Sequence, residues 1–232
     1  MGETVARPQA SGSASFILFG NLKTLYETGI SAGSLWGHVG INGYHQFSLS
    51  AYPLAVSAWE AFFNETCACS LTRMHFPYSP LWLFSDLAER WSVEDKALVI
   101  PSLLFGQSLD PGAQPFQDFK RLVRIRNSIT HYTPDDAPTK VLEHLAQRKL
   151  TLPAPDGSLL SWPLEIMSSE GVRWAINTVA AMVQTLTDMQ PPETRSGTAM
   201  VFEAITEEQA RDFYVKAGLD PDGQVLSIDH TV

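Results

Sequence analysis

The residues with the most chemistry per position lie between Phe116 and Tyr132. No acidic residue occurs between Asp118 and Asp135, and Lys120, Arg121, Arg124, Arg126 and His131 all fall in that window. Four of the chain's sixteen Lys and Arg residues thus occupy the seven positions 120–126. Guanidinium groups bind phosphate through two parallel N–H bonds, an Asn amide adds neutral donors, and an imidazole moves protons near neutral pH. This set therefore suits an anion or phosphodiester site. An amphipathic helix with a solvated basic face has the same composition, and the residues alone leave both readings open.

The window must be a helix for its spacing to matter. At about 100° per residue, Leu122, Ile125, Ile129 and Tyr132 form an apolar stripe flanked by Phe119. Lys120, Arg124, Asn127 and His131 cluster on the other side, with Asn127 and His131 four apart. Arg126 sits nearer the edge of the apolar stripe, where a structural ion pair with Glu60 of the second helix is the alternative to a role in such a site.

The surrounding pattern is helical, and the fold class expected is all-α. Ser13 or Ser15 caps a first helix to about Glu27, and glycines follow from Gly29 to Gly43. A second helix is expected over 48–66, with Leu54, Ala58, Phe62 and Ala55, Trp59, Phe63 as adjacent apolar rows. Further helices are expected over 81–91, from Ser92 to about Phe105 with Pro101 ending or kinking it, and from Asp135 or Asp136 with Pro138 to Leu150. Asp156-Gly157 suggests a small hairpin within 152–162. A long helix should run from Ser169 to about Met189, with Trp174, Ile176, Val179, Ala180 and Val183 buried. A last helix has Thr206 as cap, Gln209 closing a capping box and Gly218 as the stop. Three units are expected: 1–46 packing on the body, 47–190 as the helical domain, and 191–232 as an acidic C-terminal appendage.

Composition narrows the function classes. The chain has 232 residues, a net charge of −9 and 44% hydrophobic residues, which fits a globular fold with a core and argues against indiscriminate nucleic-acid binding. Most of that acidity belongs to the end of the chain, where residues 188–232 hold nine acids and three bases. A local phosphate site is compatible with this, and the tail is a candidate shield for it. Two cysteines, no signal-like segment and no 20-residue apolar run lead to an expected cytoplasmic setting without membrane association. Cys67, Cys69 and His75 lack a fourth ligand at a recognisable spacing, so no metal is expected. No phosphate-binding glycine loop or serine elbow occurs, and no cofactor is expected.

Arg126-Asn127-Ser128-Ile129-Thr130-His131, followed by Tyr132 and set between apolar residues, resembles the signature of the HEPN superfamily: an Arg, often followed by a polar residue, with a His five to seven positions on. The segment from Tyr52 to Glu65 resembles the helix that often precedes the signature helix. The resemblance covers about 47–190 and is specific around 122–132. It implies a helical bundle that homodimerises through the signature helix, with no metal or cofactor. Many such proteins are ribonucleases of toxin–antitoxin and anti-phage systems, so RNA is the implied substrate, and an antitoxin or nucleotidyltransferase a possible partner. It implies Arg126, Asn127 and His131 as catalytic residues; Lys120, Arg121, Arg124 and Thr130 then fall to substrate binding and Glu60 to a supporting role. Arg124 also stands at an allowed spacing from His131 and shares its face better. The alternative is a non-catalytic HEPN module for dimerisation or for binding nucleotide or RNA.

Overall fold

The computed structural model of the chain describes residues 13–35, 47–73, 90–133, 136–152, 162–192, 195 and 202–218. The described residues form eight helices: α1 (Ala14–Leu35), α2 (Ser48–Arg73), α3 (Val93–Phe105), α4 (Phe116–Thr130), α5 (Thr139–Gln147), α6 (Trp162–Glu165), α7 (Ser169–Met189) and α8 (Glu207–Lys216). The all-α class is as expected. The predicted helix over 81–91 and the hairpin expected within 152–162 both fall mostly outside the described residues.

The long α2 is the central element and packs against α1, α7 and α4. Its two apolar rows account for this, since Ala55, Ala58, Trp59, Phe62 and Phe63 are all buried. Trp59 stacks on Phe63 at 4.9 Å and meets Phe119 of α4 at 4.6 Å between ring centroids. Trp174, Ile176, Val179, Ala180 and Val183 of α7 close the same core. Residues 202–218 are part of it: Phe202 lies 4.4 Å from Phe19 and 5.2 Å from Phe62. One core thus takes side chains from all three expected units.

Several helix ends differ from the pattern-based boundaries. The first helix continues past Glu27 and through two glycines to Leu35, because Ile30 is buried and packing outweighs the weak helix preference of glycine. The second continues past Thr66 to Arg73. The end of α3 at Phe105 is as expected: Pro101 lies inside the helix without ending it, its burial outweighing one lost helical hydrogen bond, and the stop comes at Gly106, with φ 68° and its N–H donating to the Ser102 carbonyl. The capping box at Thr206 and Gln209 forms as expected.

Candidate functional site

The helix that carries the basic window is anchored by its own first turn. Asp118 is 8% exposed and accepts hydrogen bonds from Arg148 at 2.7 Å, Arg121 at 3.0 Å and the Trp174 indole N–H at 3.2 Å. Burial pushes its carboxyl upward, but the hydrogen bonds from Arg148 and Trp174, with the Arg148 charge, outweigh that and hold it below its ordinary value. His144 of α5 lies 3.7 Å from the same carboxylate, and burial with the Arg121 charge pushes its imidazole downward. Asp118 therefore ties α4 to α7 and to the end of α5. The sequence signal for it was an acid three residues before Arg121 in an otherwise basic helix. Its partners on other helices left no sequence signal.

Beyond that anchor the helix divides by face. Phe119, Leu122, Val123 and Ile125 are buried, and Ile129 is half-buried against the core. Lys120, Arg124, Asn127 and His131 are all exposed. Among the described residues none of these four side chains has a hydrogen bond or ion pair. They form one polar row about 16 Å long, at 1.5 Å rise per residue. His131 caps the helix at φ −112° and ψ 45°, its backbone N–H donating to the Asn127 carbonyl at 2.9 Å, so the imidazole stands at the end of the row.

Arg126 lies elsewhere. Its guanidinium is 4.0 Å from Glu60 of α2, and Lys96 of α3 reaches the other oxygen of Glu60 at 4.0 Å. The expected Arg126–Glu60 pair is present, with Lys96 as a third member the sequence did not suggest. The Arg126 side chain is 26% exposed, and its Nε is buried without a partner among the described residues. On the helical wheel Arg126 is about 140° from His131, so one chain does not bring the two together. Arg124 shares the exposed face with Asn127 and His131.

The remaining expected binding residues are partly committed. Arg121 pairs with Asp118, and the Thr130 hydroxyl donates to the Arg126 carbonyl at 2.8 Å, which uses its only proton within its own helix. Residues 202–218 pack mainly on α1, with Glu203 at 4.0 Å from Lys23, and leave the polar row uncovered. Cys67 is a free, half-buried cysteine, while His75 and the Cys69 side chain lie outside the described residues. Among the described residues no group of three or more His, Cys, Asp or Glu could hold a metal, and no helix is long and apolar enough to cross a membrane.

A second feature adjoins the row. Tyr132 is 48% exposed and faces Trp162 at 5.8 Å between ring centroids, and the two line a cavity of about 240 Å³ with Leu49, Ile129 and Pro163. The sequence placed Tyr132 on the apolar stripe and gave no sign of this cavity. Comparison of the chain with protein-family models, curated proteins and solved structures yields no match.

Proposed function

We propose that the chain is a metal-independent endoribonuclease of HEPN type, acting as a homodimer in a toxin or anti-phage role. The observation that carries this reading is the exposed, unpartnered row of Lys120, Arg124, Asn127 and His131 on a helix anchored at its first turn by Asp118. An imidazole packed into the core could serve no substrate; this one is open. The short signature around Arg126 and His131 adds the family expectation.

The chemistry follows from the groups. RNA supplies its own nucleophile, the ribose 2′-hydroxyl. His131 takes the proton from that hydroxyl or gives one to the departing 5′ oxygen. A guanidinium stabilises charge on the phosphorane oxygens, and Asn127 orients the phosphate or the imidazole. The products are a 2′,3′-cyclic phosphate and a 5′-hydroxyl. The resemblance gives the guanidinium role to Arg126, whereas the row gives it to Arg124. A two-fold pairing of α4 with its copy sets two sets of these groups across one cleft, so that Arg126 of one protomer need not meet its own His131.

Single-turnover cleavage by Arg124→Ala and Arg126→Ala tests the assignment. The arginine on the phosphorane loses about 10²–10³-fold in rate, and the other far less. Loss in neither variant would refute both assignments. The anchoring of Arg126 by Glu60 favours a second reading, a non-catalytic module that binds RNA or nucleotide. A dimer that binds RNA without cleaving it would decide for that reading.

A further inference from the structure

The cavity beside Tyr132 is unlike the row it adjoins. Its lining of Leu49, Ile129, Tyr132, Trp162 and Pro163 carries no charge. Trp162 is 5% exposed, and its buried indole N–H has no acceptor among the described residues. A buried donor without a partner is costly and rare, and an incoming acceptor relieves it. At about 240 Å³ the cavity is smaller than the ~300–1,000 Å³ usual for drug-sized ligands, and it suits one planar ring system.

We propose that this cavity is a nucleobase subsite, with Tyr132 as the stacking platform and the Trp162 N–H as a donor to a base carbonyl or ring nitrogen. This rests on the ribonuclease reading and deepens it, since it names the part of the RNA that the cavity takes. Place and charge argue for a base. Tyr132 directly follows His131, with Cα atoms about 3.8 Å apart, so a ribose at the imidazole puts its own base within reach of the cavity. The row offers cations to phosphates, and the cavity offers a neutral aromatic wall to the neutral part of the same nucleotide. Single-stranded RNA is recognised by this division, with bases splayed onto aromatic side chains.

The test is a cycle of protein and RNA changes. The scissile nucleotide of a single-stranded RNA is mapped with the wild-type protein. Affinity is then measured by fluorescence anisotropy for that RNA carrying a 2′-deoxy scissile nucleotide, and for its abasic counterpart at the same position. Tyr132 is half-exposed, so Tyr132→Ala keeps the fold, which circular dichroism checks. It weakens binding of the intact RNA by about 5- to 100-fold and that of the abasic RNA by no more than about twofold. Trp162→Phe retains the ring, loses the donor and weakens only the intact RNA, by about 2- to 10-fold. Equal effects on both RNAs, or none, overturn the subsite while wild-type cleavage leaves the ribonuclease reading standing. A wild-type protein that neither cleaves nor binds RNA overturns both. A shift from dimer to monomer in Tyr132→Ala with unchanged RNA affinity assigns the cavity to the second copy and overturns the proposal.

Discussion

Replacing Asp118 by Ala should be among the most destabilising single changes on α4. The carboxylate is nearly buried and accepts from Arg148 at 2.7 Å, Arg121 at 3.0 Å and Trp174 at 3.2 Å. Breaking a buried ion pair by removing one partner costs about 3–5 kcal/mol. The two arginine side chains are 43% and 27% exposed and can turn to water, which cuts that figure sharply. Trp174 is 6% exposed, so its N–H loses its acceptor inside the core, at about 1–3 kcal/mol. The expected total is about 2–4 kcal/mol, or a fall of roughly 4–16 °C in Tm for a chain of this size. Asp118→Asn keeps an acceptor for Trp174 and should cost about half as much. Urea unfolding measures this as a lower midpoint at unchanged m. The pH dependence carries a sign. The carboxyl is held below its ordinary 3.8 in the fold, so its contribution is complete above that value and is lost as pH falls through the folded value. His144 is pushed below its ordinary 6.5, so the unfolded chain takes that proton first and stability starts to fall below about pH 6.5. Asp118→Asn should therefore lose less stability than wild type below pH 4. A cost under about 0.5 kcal/mol for Asp118→Ala would refute the role of this carboxylate as anchor.

Three further outcomes are expected. A Cβ on Gly171 would stand 2.8 Å from the Ser168 Oγ and 2.9 Å from the Leu150 carbonyl, and against the Tyr52 hydroxyl. Gly171→Ala should thus lower the urea-unfolding free energy by about 1–3 kcal/mol, although alanine in an open helix would raise it. Burial pushes the Cys67 thiol up to about 12, only partly offset by the Lys96 ammonium; peptide mapping after alkylation at pH 8 should show Cys67 unmodified until denaturant is added. Glu60→Gln should cost no more than about 1 kcal/mol in the same unfolding assay, because its pairs with Arg126 and Lys96 are long and partly solvated at 4.0 Å each. A loss above about 2 kcal/mol there would mean a much tighter triad.

The division of α4 into a buried and an exposed face was legible from spacing alone. Phe119, Leu122 and Ile125 are inside, and Lys120, Arg124, Asn127 and His131 are outside, as a 3.6-residue period requires. The Glu60–Arg126 pair was legible as well, since both residues interrupt apolar rows on helices expected to pack. The anchor at Asp118 was not. Arg148 and Trp174 lie on other helices, and no local pattern couples distant positions that only the tertiary fold brings together. The same holds for the cavity, whose walls come from α2, α4 with its Tyr132 extension, and α6. A helix end was misjudged where glycine met tertiary packing, as at Leu35. Arg126 was placed at the edge of the stripe; its anchoring on α2, about 140° from His131, shows only in three dimensions.

The most direct test of the central claim is cleavage of single-stranded RNA by the purified protein in EDTA, with the product ends identified, beside His131→Ala. The wild type should leave 2′,3′-cyclic phosphate and 5′-hydroxyl ends. His131→Ala should cleave about 10²–10⁴-fold more slowly, with its helical circular dichroism unchanged. Equal cleavage by the two proteins, 5′-phosphate ends, or RNA left intact by a folded wild-type dimer would contradict it.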